Sequence, residues 1–354
     1  MRLSITLRLA NEDWAAASTY VVEAERLGAD CVWSPEAWGH DAVTPLAFVA
    51  ARTSRIRLGT GILQAGTRTP ALIGMTAMSL AAMSGDRFIL GLGVSGPQVI
   101  EGWHGIRFER PVQRMRETIE IVRKVIRGER VAYQGGVYEL PLPGGEGKAL
   151  RSAAQPRPDI PVYLATLTPR GLELTGELAD GWLGTSFMPE HADVFLEHLI
   201  AGAARAGRSL AQLDLHAGGV VAFSDDLDRL IARRKAGIAF TLGAMGSRRR
   251  NFYNDAYRKA GYAEVAAEVQ RLWLEGRRED ATARVPDDMV LKTNLLGTEQ
   301  MVRERILAYR NAGITTLRVE PDGATMDERL RTLGRVIDLV RDAEPARSST
   351  SPRR

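Results

Sequence analysis

An alternation of short apolar runs with helical patterns, repeating at intervals of about 30 residues, constrains the fold of this chain more than any other feature. Residues 3–7, 31–33 and 56–62 each predict a buried strand, and each is followed by apolar residues at helical spacing. Parallel strands require such helical crossovers, which are right-handed in nearly all proteins. The first part of the chain therefore predicts three strand–helix units of one parallel sheet.

The same alternation continues to the end of the chain. Further strands are predicted at residues 88–90, 161–165, 181–185, 214–223 and 316–320, which brings the total to eight. Eight strands with helices between them predict a (β/α)8 TIM barrel, a fold that routinely exceeds about 250 residues. We expect a single barrel domain over residues 1–342 with an insertion at about 243–297, and a disordered basic tail at 343–354.

Composition excludes several classes of protein. The net charge of +4 lies partly in the tail, and no basic stripe is interleaved with aromatic residues, so no nucleic-acid partner is expected. The single cysteine, Cys31, excludes an internal disulfide, and five histidines scattered along the chain make a metal site improbable. Without a signal peptide or an apolar run of about 18 residues, the chain is expected to be cytoplasmic and to have no membrane partner.

The glycine-rich stretch at 87–105 is the strongest candidate for a ligand site. It begins with the predicted strand at 88–90 and continues through Gly91, Gly93, Ser95, Gly96 and Pro97. Such residues let the backbone approach a ligand closely and turn its N–H groups toward it. Barrels bind their ligands at the carboxyl ends of their strands, so this loop favours a ligand site there. The alternative is a tight turn with close packing.

Two further groups of residues are candidates for chemistry. Glu36 and His40, with Trp38 between them, follow the second strand, and a carboxylate with an imidazole could transfer protons at neutral pH. The alternative is a helix-capping loop with a solvated histidine. In the insertion, Arg248 lies beside Asn251 and Tyr253, a combination that indicates either anion binding or a solvated turn. The insertion itself could shape the substrate pocket or a subunit interface.

Four segments carry a family resemblance: LGTGI at 58–62, the glycine-rich stretch at 91–105, PVYLA at 161–165, and MGSRRRNFYN at 245–254. With them the chain resembles the luciferase-like monooxygenase superfamily. It is most similar to the branch of coenzyme F420-dependent oxidoreductases named after methylenetetrahydromethanopterin reductase. The resemblance implies a (β/α)8 barrel that binds a deazaflavin at the C-terminal mouth.

The resemblance also implies particular site residues. A cis peptide bond is expected at Gly61-Ile62, against the deazaflavin ring. The other residues expected to bind the cofactor are Gln64, Ser95, Gly96, Pro97, Gln98, Ala165, Thr166, Leu167 and Thr168, of which the last four would hold a phosphate at a helix N-terminus. Trp38, Arg248, Asn251 and Tyr253 are the expected substrate residues. The segment Pro35 to Trp38 departs from the Asp-His pattern of related dehydrogenases, so their substrates and proton-transfer residues do not carry over.

These observations predict an F420H2-dependent reductase that transfers hydride between the reduced deazaflavin and a C=N, activated C=C or carbonyl group of a small molecule. Glu36 and His40 are the candidate catalytic residues. An FMNH2-dependent monooxygenase and a non-catalytic binding barrel are the alternatives. A homodimer is expected because dimers are common in the superfamily.

Overall fold

A computed structural model describes residues 1–8, 13–246 and 251–343, and within them eight parallel strands close into a barrel. The barrel strands are β1 (Arg2–Thr6), β2 (Cys31–Ser34), β3 (Arg57–Thr60), β4 (Phe88–Gly93), β5 (Val162–Ala165), β6 (Gly181–Leu183), β7 (Asp214–Ala217) and β8 (Thr316–Pro321). Each pairs in parallel with the next along the chain, and β8 pairs with β1 to complete the ring. The predicted TIM barrel is thereby confirmed, and each of the eight predicted strands contributes a strand to the ring, although the seventh is shorter than predicted.

The helices within the described residues are α1 (Trp14–Leu27), α2 (Val43–Ala50), α3 (Pro70–Ser84), α4 (Pro97–Ile100), α5 (Pro111–Ile126), α6 (Pro169–Leu178), α7 (Asp193–Arg205), α8 (Leu227–Gly243), α9 (Phe252–Tyr257), α10 (Ala263–Leu274), α11 (Arg278–Ala283), α12 (Asp287–Thr293), α13 (Glu299–Asn311) and α14 (Met326–Asp342). Their boundaries follow local chemistry. The Thr69 side chain accepts a hydrogen bond from the Leu72 N–H at the start of α3, and Gly85, with φ of 64°, ends that helix. No helix in these ranges has both the length and the apolar character needed to cross a membrane.

A buried polar network fills the N-terminal end of the barrel, where the strands begin. Asp214 accepts hydrogen bonds from the hydroxyls of Tyr163 (2.7 Å), Thr315 (2.6 Å) and Thr316 (2.9 Å). Burial opposes ionisation of Asp214, but these hydrogen bonds and the neighbouring His216 hold its pKa well below the usual range. Burial lowers the pKa of His216, so the ring is neutral at pH 7. This end of the barrel is closed and serves stability.

The seventh strand differs from its prediction. Residues 214–223 were expected to be one strand, but the chain breaks at Gly218 and Gly219 and continues as a separate strand, Val220–Phe223, which pairs with Leu295–Gly297. A Cβ atom on Gly218 would lie 2.0 Å from the Arg318 carbonyl oxygen, and one on Gly219 would lie 2.2 Å from the Thr293 carbonyl oxygen. The two glycines are therefore required where β8 changes its partner from β7 to the second strand.

The insertion packs around a hydrophobic core of its own. This core joins residues of α8, α10, α11 and α12 with those of the 220–223 and 295–297 strands, among them Leu230, Leu242, Val269, Met289 and Leu296. The sequence suggested that the insertion starts at about residue 243. The unit that shares this core begins earlier, because it includes α8. Two other short elements lie outside the barrel pattern: the strand Leu63–Gln64, which pairs with β4, and a hairpin of Tyr133–Gln134 with Glu139–Leu140.

Candidate functional site

The loops that follow β3, β4 and β5 meet at the C-terminal mouth of the barrel. Gly93 at the end of β4 lies opposite Ala165 at the end of β5, and Gln64 lies opposite Gly93 on the other side. Because parallel strands end at the same edge, the loops from residue 94 and from residue 166 begin side by side. The expected convergence of these two loops is confirmed.

The peptide bond between Gly61 and Ile62 is cis, as the family resemblance implied. Gly61 donates its N–H to the Ser34 carbonyl oxygen at 2.7 Å, which joins the ends of β2 and β3. Ile62 packs against Gly93 so closely that a Cβ atom there would lie 2.7 Å from Ile62 Cγ1. Gly61 and Ile62 both keep part of their surface exposed at the mouth.

Backbone N–H groups without internal partners gather on the same side of the mouth. The N–H groups of Ser95, Gly96, Leu167 and Thr168 donate no hydrogen bond to any other described residue. Ser95 has φ of 57°, in the left-handed region, which turns successive N–H groups in one direction. Thr168 caps α6 through Gly171 at 3.2 Å, so this helix presents its positive end there. The arrangement favours an anionic ligand.

The other residues predicted to bind the cofactor differ in their exposure to solvent. Pro97, Gln98, Ala165 and Thr166 are at least partly exposed and lie in the same two loops, as expected. Gln64 has no accessible surface, and its Nε2 donates to the Ala37 carbonyl oxygen at 3.0 Å. A side chain without accessible surface cannot contact a ligand in this conformation. Gln64 therefore holds the loop after β2 in this structure, and a role for it in cofactor binding stays a prediction.

A cavity of about 610 Å³ opens on the opposite side of the mouth. Its walls come from the ends of β1, β6 and β8, from the glycine pair after β7, and from α8, α9 and α12. None of the loops after β3, β4 and β5 lines it. The mouth thus has two parts: a shelf formed by these loops, with unpaired N–H groups after β4 and β5, and a cavity beneath the insertion.

Of the predicted substrate residues that the structure describes, Tyr253 alone lines this cavity. Burial raises the pKa of its hydroxyl, and the nearby charge of Arg318 lowers it only in part, so the phenol is protonated at neutral pH. Asn251 is buried; its Oδ1 accepts from the Asn254 N–H at 3.0 Å and its Nδ2 donates to the Leu242 carbonyl at 2.8 Å. The polar groups of Asn251 are thus used as the cap of α9, and its expected role in substrate binding stays a prediction. Arg248 lies outside the described residues, and Trp38 is exposed on the loop after β2.

Glu36 and His40, the predicted catalytic pair, make different contacts in the structure. Both Glu36 oxygens are held by Arg68, at 2.7 Å and 2.9 Å, and one also accepts from the Ala42 N–H at 3.1 Å. A carboxylate paired in this way orders two loops, so the arrangement does not support proton transfer by Glu36. His40 is exposed and packs edge-on against Trp14, with ring centroids 5.1 Å apart.

Arg318 is the cavity residue that sequence reasoning missed. It lies in the middle of β8, and its Nη2 donates to the Gly184 carbonyl oxygen at 2.8 Å. One signal was present in the sequence: residues 316–320 of the predicted strand read Thr-Leu-Arg-Val-Glu, which places an arginine on the same face as a buried threonine. A charged residue on the inner face of a barrel strand indicates a site.

Comparison with known proteins agrees with this geometry. The family model described as luciferase-like monooxygenase matches residues 1–316. A Mycobacterium tuberculosis protein, whose name gives coenzyme F420-dependent oxidoreductase as an inferred activity, is 41% identical over 325 residues, covering 90% of this chain and 93% of its own. The 5,10-methylenetetrahydromethanopterin reductase of Methanolobus tindarius is 29% identical over 320 residues, covering 90% and 94%.

Among solved structures, the coenzyme F420-dependent tetrahydromethanopterin reductase of Methanopyrus kandleri superposes with a TM-score of 0.78 at 24% identity, covering 94% of this chain and 97% of that one. At this identity the likeness concerns the fold, a closed barrel with helical insertions. The family model matches most of the chain in sequence, and this match indicates common ancestry in addition to a common fold. The chain belongs to the luciferase-like monooxygenase family.

Proposed function

We propose that this protein is an F420H2-dependent reductase acting on a small molecule. The observation that carries the proposal is the 41% identity, over nine-tenths of the chain, to a relative named for coenzyme F420 dependence. The reductases named for methylenetetrahydromethanopterin are further relatives of the same kind. The finer statements, on the cofactor, the direction of hydride transfer and the substrate, belong to this proposal.

The residues at the mouth fit such a cofactor. Coenzyme F420 combines a flat deazaflavin ring with a phosphate-bearing tail, so it needs a surface without projecting side chains and a set of unpaired donors. Gly61 and Gly96, both partly exposed, supply the first, and the N–H groups of Leu167 and Thr168 at the start of α6 supply the second. A Cβ atom on Gly96 would have only the far end of the Gln98 side chain, at 4.0 Å, for a neighbour, which shows how open this part of the mouth is.

When bound, the cofactor would supply hydride, and the protein would supply position, shelter from water and a proton. Ser95 to Gln98 and Ala165 to Thr168 would hold the cofactor, and the cavity beneath the insertion would take the substrate. Tyr253 is the residue we assign to proton donation. Its hydroxyl is protonated, it lines the cavity, and it makes no hydrogen bond with the described residues.

The test is a fluorescence titration of the purified protein with F420 and, separately, with FMN. We expect binding of F420 and little or no binding of FMN. Gly96→Phe should weaken F420 binding at least tenfold, since its extended backbone accepts a side chain that would fill the shelf. Gly147→Phe is the matched control, because this glycine also has no neighbour near its Cβ position but lies in the exposed 135–161 segment. Binding of FMN alone, or of neither cofactor, would refute the proposal.

A second measurement tests the assignment of Tyr253. Tyr253→Phe removes the hydroxyl and keeps the ring, so F420 affinity and thermal stability should be unchanged. With a substrate in hand, the rate of F420H2 oxidation should fall by about 10²-fold or more, as is typical when a positioned general acid is lost. An unchanged rate would exclude Tyr253 as the proton donor and leave the cofactor proposal intact.

A further inference from the structure

The inner face of β8 carries a polar side chain at every second position. Thr316 joins the network at the closed end, Arg318 reaches the cavity, and Glu320 lies at the rim. Strand geometry dictates this order, because alternate residues point to the same face. Arg318 is thus fixed on a rigid element between the closed end of the barrel and its mouth.

Arg318 differs from the other arginines that line the cavity. Arg8 forms an ion pair with Glu320, and Arg233 and Arg234 pair with Asp322 at 3.2 Å and 2.8 Å. Arg318 makes no ion pair with any carboxylate of the described residues, and its hydrogen bond to Gly184 uses one of its five N–H groups. Among the arginines that line the cavity, Arg318 is therefore the one without an ion pair in the described part of the chain, although the more distant charge of Glu320 acts on it.

Burying a guanidinium that has no ion-pair partner costs free energy. Removing a charge from water without a partner typically costs several kcal/mol, and proteins seldom keep such a group where it has only a structural role. Burial lowers the pKa of Arg318, although an arginine remains charged at neutral pH. A ligand that brings a negative charge into the cavity would remove this cost, and the planar fork suits a carboxylate or a phosphate.

The rest of the cavity fits a ligand with one charged end. Ile238, Phe240 and Met245 line it with apolar surface, whereas Tyr253 lies on the Arg318 side, close enough for the guanidinium charge to act on its hydroxyl. We propose that the cavity binds a substrate bearing a carboxylate or phosphate group, which Arg318 holds while the apolar remainder lies along α8. This inference deepens the proposed function, on which its catalytic meaning rests.

The first test uses the cofactor-free protein, with inorganic phosphate and succinate as probes at constant ionic strength. Thermal unfolding should shift upward by a few degrees with at least one probe, because a ligand that binds only the folded state stabilises it. Arg318→Gln should abolish the shift, and Arg318→Lys should retain part of it. Arg233→Gln is the matched control, a cavity arginine already paired with Asp322, and should keep the shift. Equal responses in all four proteins, or none in the wild type, would overturn the proposal.

Stability without ligand separates a binding role from a structural one. If Arg318 is held for a ligand, Arg318→Gln should unfold at the same temperature as the wild type or higher, since it removes an unpaired charge. A fall of several degrees would identify Arg318 as a structural residue and would contradict the proposal.

The source of the anion is resolved by titrating F420 into the same variants. The acidic tail of the cofactor could also bring a negative charge to the cavity. If Arg318→Gln leaves F420 affinity unchanged, the anion belongs to the substrate, as proposed. If it weakens F420 binding about tenfold and F420 competes with phosphate, the cavity holds the cofactor tail and the substrate assignment is wrong. Failure of every variant to bind F420 would instead refute the proposed function, with the phosphate and succinate shifts still reporting on the anion site.

Discussion

At the scale of single residues, the glycine-rich stretch after residue 87 serves two separate purposes. Gly91 lies within β4, where its N–H donates to the Thr60 hydroxyl at 2.9 Å and its carbonyl accepts from the same hydroxyl at 2.8 Å. Its missing side chain serves packing, which is the simpler of the two interpretations that the sequence allowed. Ser95 and Gly96 instead lie at the mouth with unpaired N–H groups. One run of small residues thus combines a structural role with the binding role that we propose for it.

Replacement of Gly91 by alanine should be strongly destabilising. The new Cβ atom would lie 1.9 Å from the Thr60 carbonyl oxygen, a backbone atom that can move only if β3 moves. We expect a loss of about 2–4 kcal/mol in the free energy of unfolding, at the upper end of single substitutions. Urea denaturation followed by circular dichroism measures it.

Gly334→Ala is the control for this prediction. Gly334 lies in α14, and a Cβ atom there has only an ordinary contact at 3.9 Å, with Leu27. This variant should be neutral or slightly stabilising, because alanine favours a helix by about 1 kcal/mol over glycine. If the two variants lose equal stability, the close contact at Gly91 is not what limits substitution.

The positions of individual residues at the mouth could be predicted only where a sequence motif determines the local backbone conformation. The family resemblance implied the cis bond at Gly61-Ile62 and the loop at 165–168, and the glycine-rich sequence itself indicated the loop at 95–98. Glu36 could not be assigned in the same way, because its partner Arg68 comes from the next strand–helix unit, 32 residues away. The unpaired state of Arg318 is likewise a property of the assembled cavity, and a strand pattern alone cannot show which charges lack a partner.

At the scale of elements, a buried carboxylate fixes the hairpin outside the barrel. Glu117 on α5 accepts hydrogen bonds from the backbone N–H groups of Gly136 (2.8 Å), Val137 (2.9 Å) and Tyr138 (2.8 Å). Burial opposes its ionisation, but these donors outweigh it and lower its pKa. A single side chain thereby orders a segment whose sequence has no strand periodicity, which explains why the hairpin was not predicted.

The Glu117 contacts predict a pH-dependent contribution to stability. A carboxyl whose pKa is lower in the folded state stabilises the fold above its unfolded pKa of about 4.3, and this contribution is lost as the pH falls through the folded value. Glu117→Gln should therefore cost about 1–3 kcal/mol at pH 7, and the difference from the wild type should shrink between about pH 5 and pH 3. Urea unfolding at several pH values measures it.

The exposed Glu139 on the same hairpin provides the control. Glu139→Gln changes the same charge without removing a hydrogen bond to a described residue, so its stability should follow the wild type across the pH range. A constant difference between Glu117→Gln and the wild type at all pH values would show that the charge of Glu117 is not what binds the hairpin.

Elements with several periodic residues were predictable, and shorter ones were not. The barrel strands and their helices carry enough apolar positions to reveal their period. The strands at 63–64 and 295–297 are too short to show a hydrophobic period. Each forms because a neighbouring strand provides backbone hydrogen-bond partners. The break of the seventh strand was visible as two adjacent glycines, but their consequence depends on where β8 lies.

At the scale of the whole molecule, large apolar side chains remain exposed on two neighbouring helices. They are Phe48 on α2 and Leu72, Met75 and Met83 on α3. Clusters of this kind on a protein surface are typical of contacts with another chain. We propose that they form the interface of a homodimer, the oligomeric state that the family resemblance implied.

Light scattering coupled to size-exclusion chromatography tests this proposal. The wild type should elute with twice the chain mass of 38.8 kDa. Met75→Glu places a charge within the patch and should shift the protein toward the monomer, whereas Ile200→Glu, at an exposed apolar position on α7, should not. A wild-type monomer at micromolar concentration would exclude the dimer.

The glycine pair at 218–219 has a consequence for how this enzyme can diversify. At this point β8 exchanges β7 for the 220–223 strand, and the lobe beyond it packs around a separate set of apolar contacts. Sequence changes in that lobe can reshape the cavity while the loops with unpaired N–H groups keep their form. On the proposed function, close homologues should therefore share one hydride donor and differ in the molecules that they reduce.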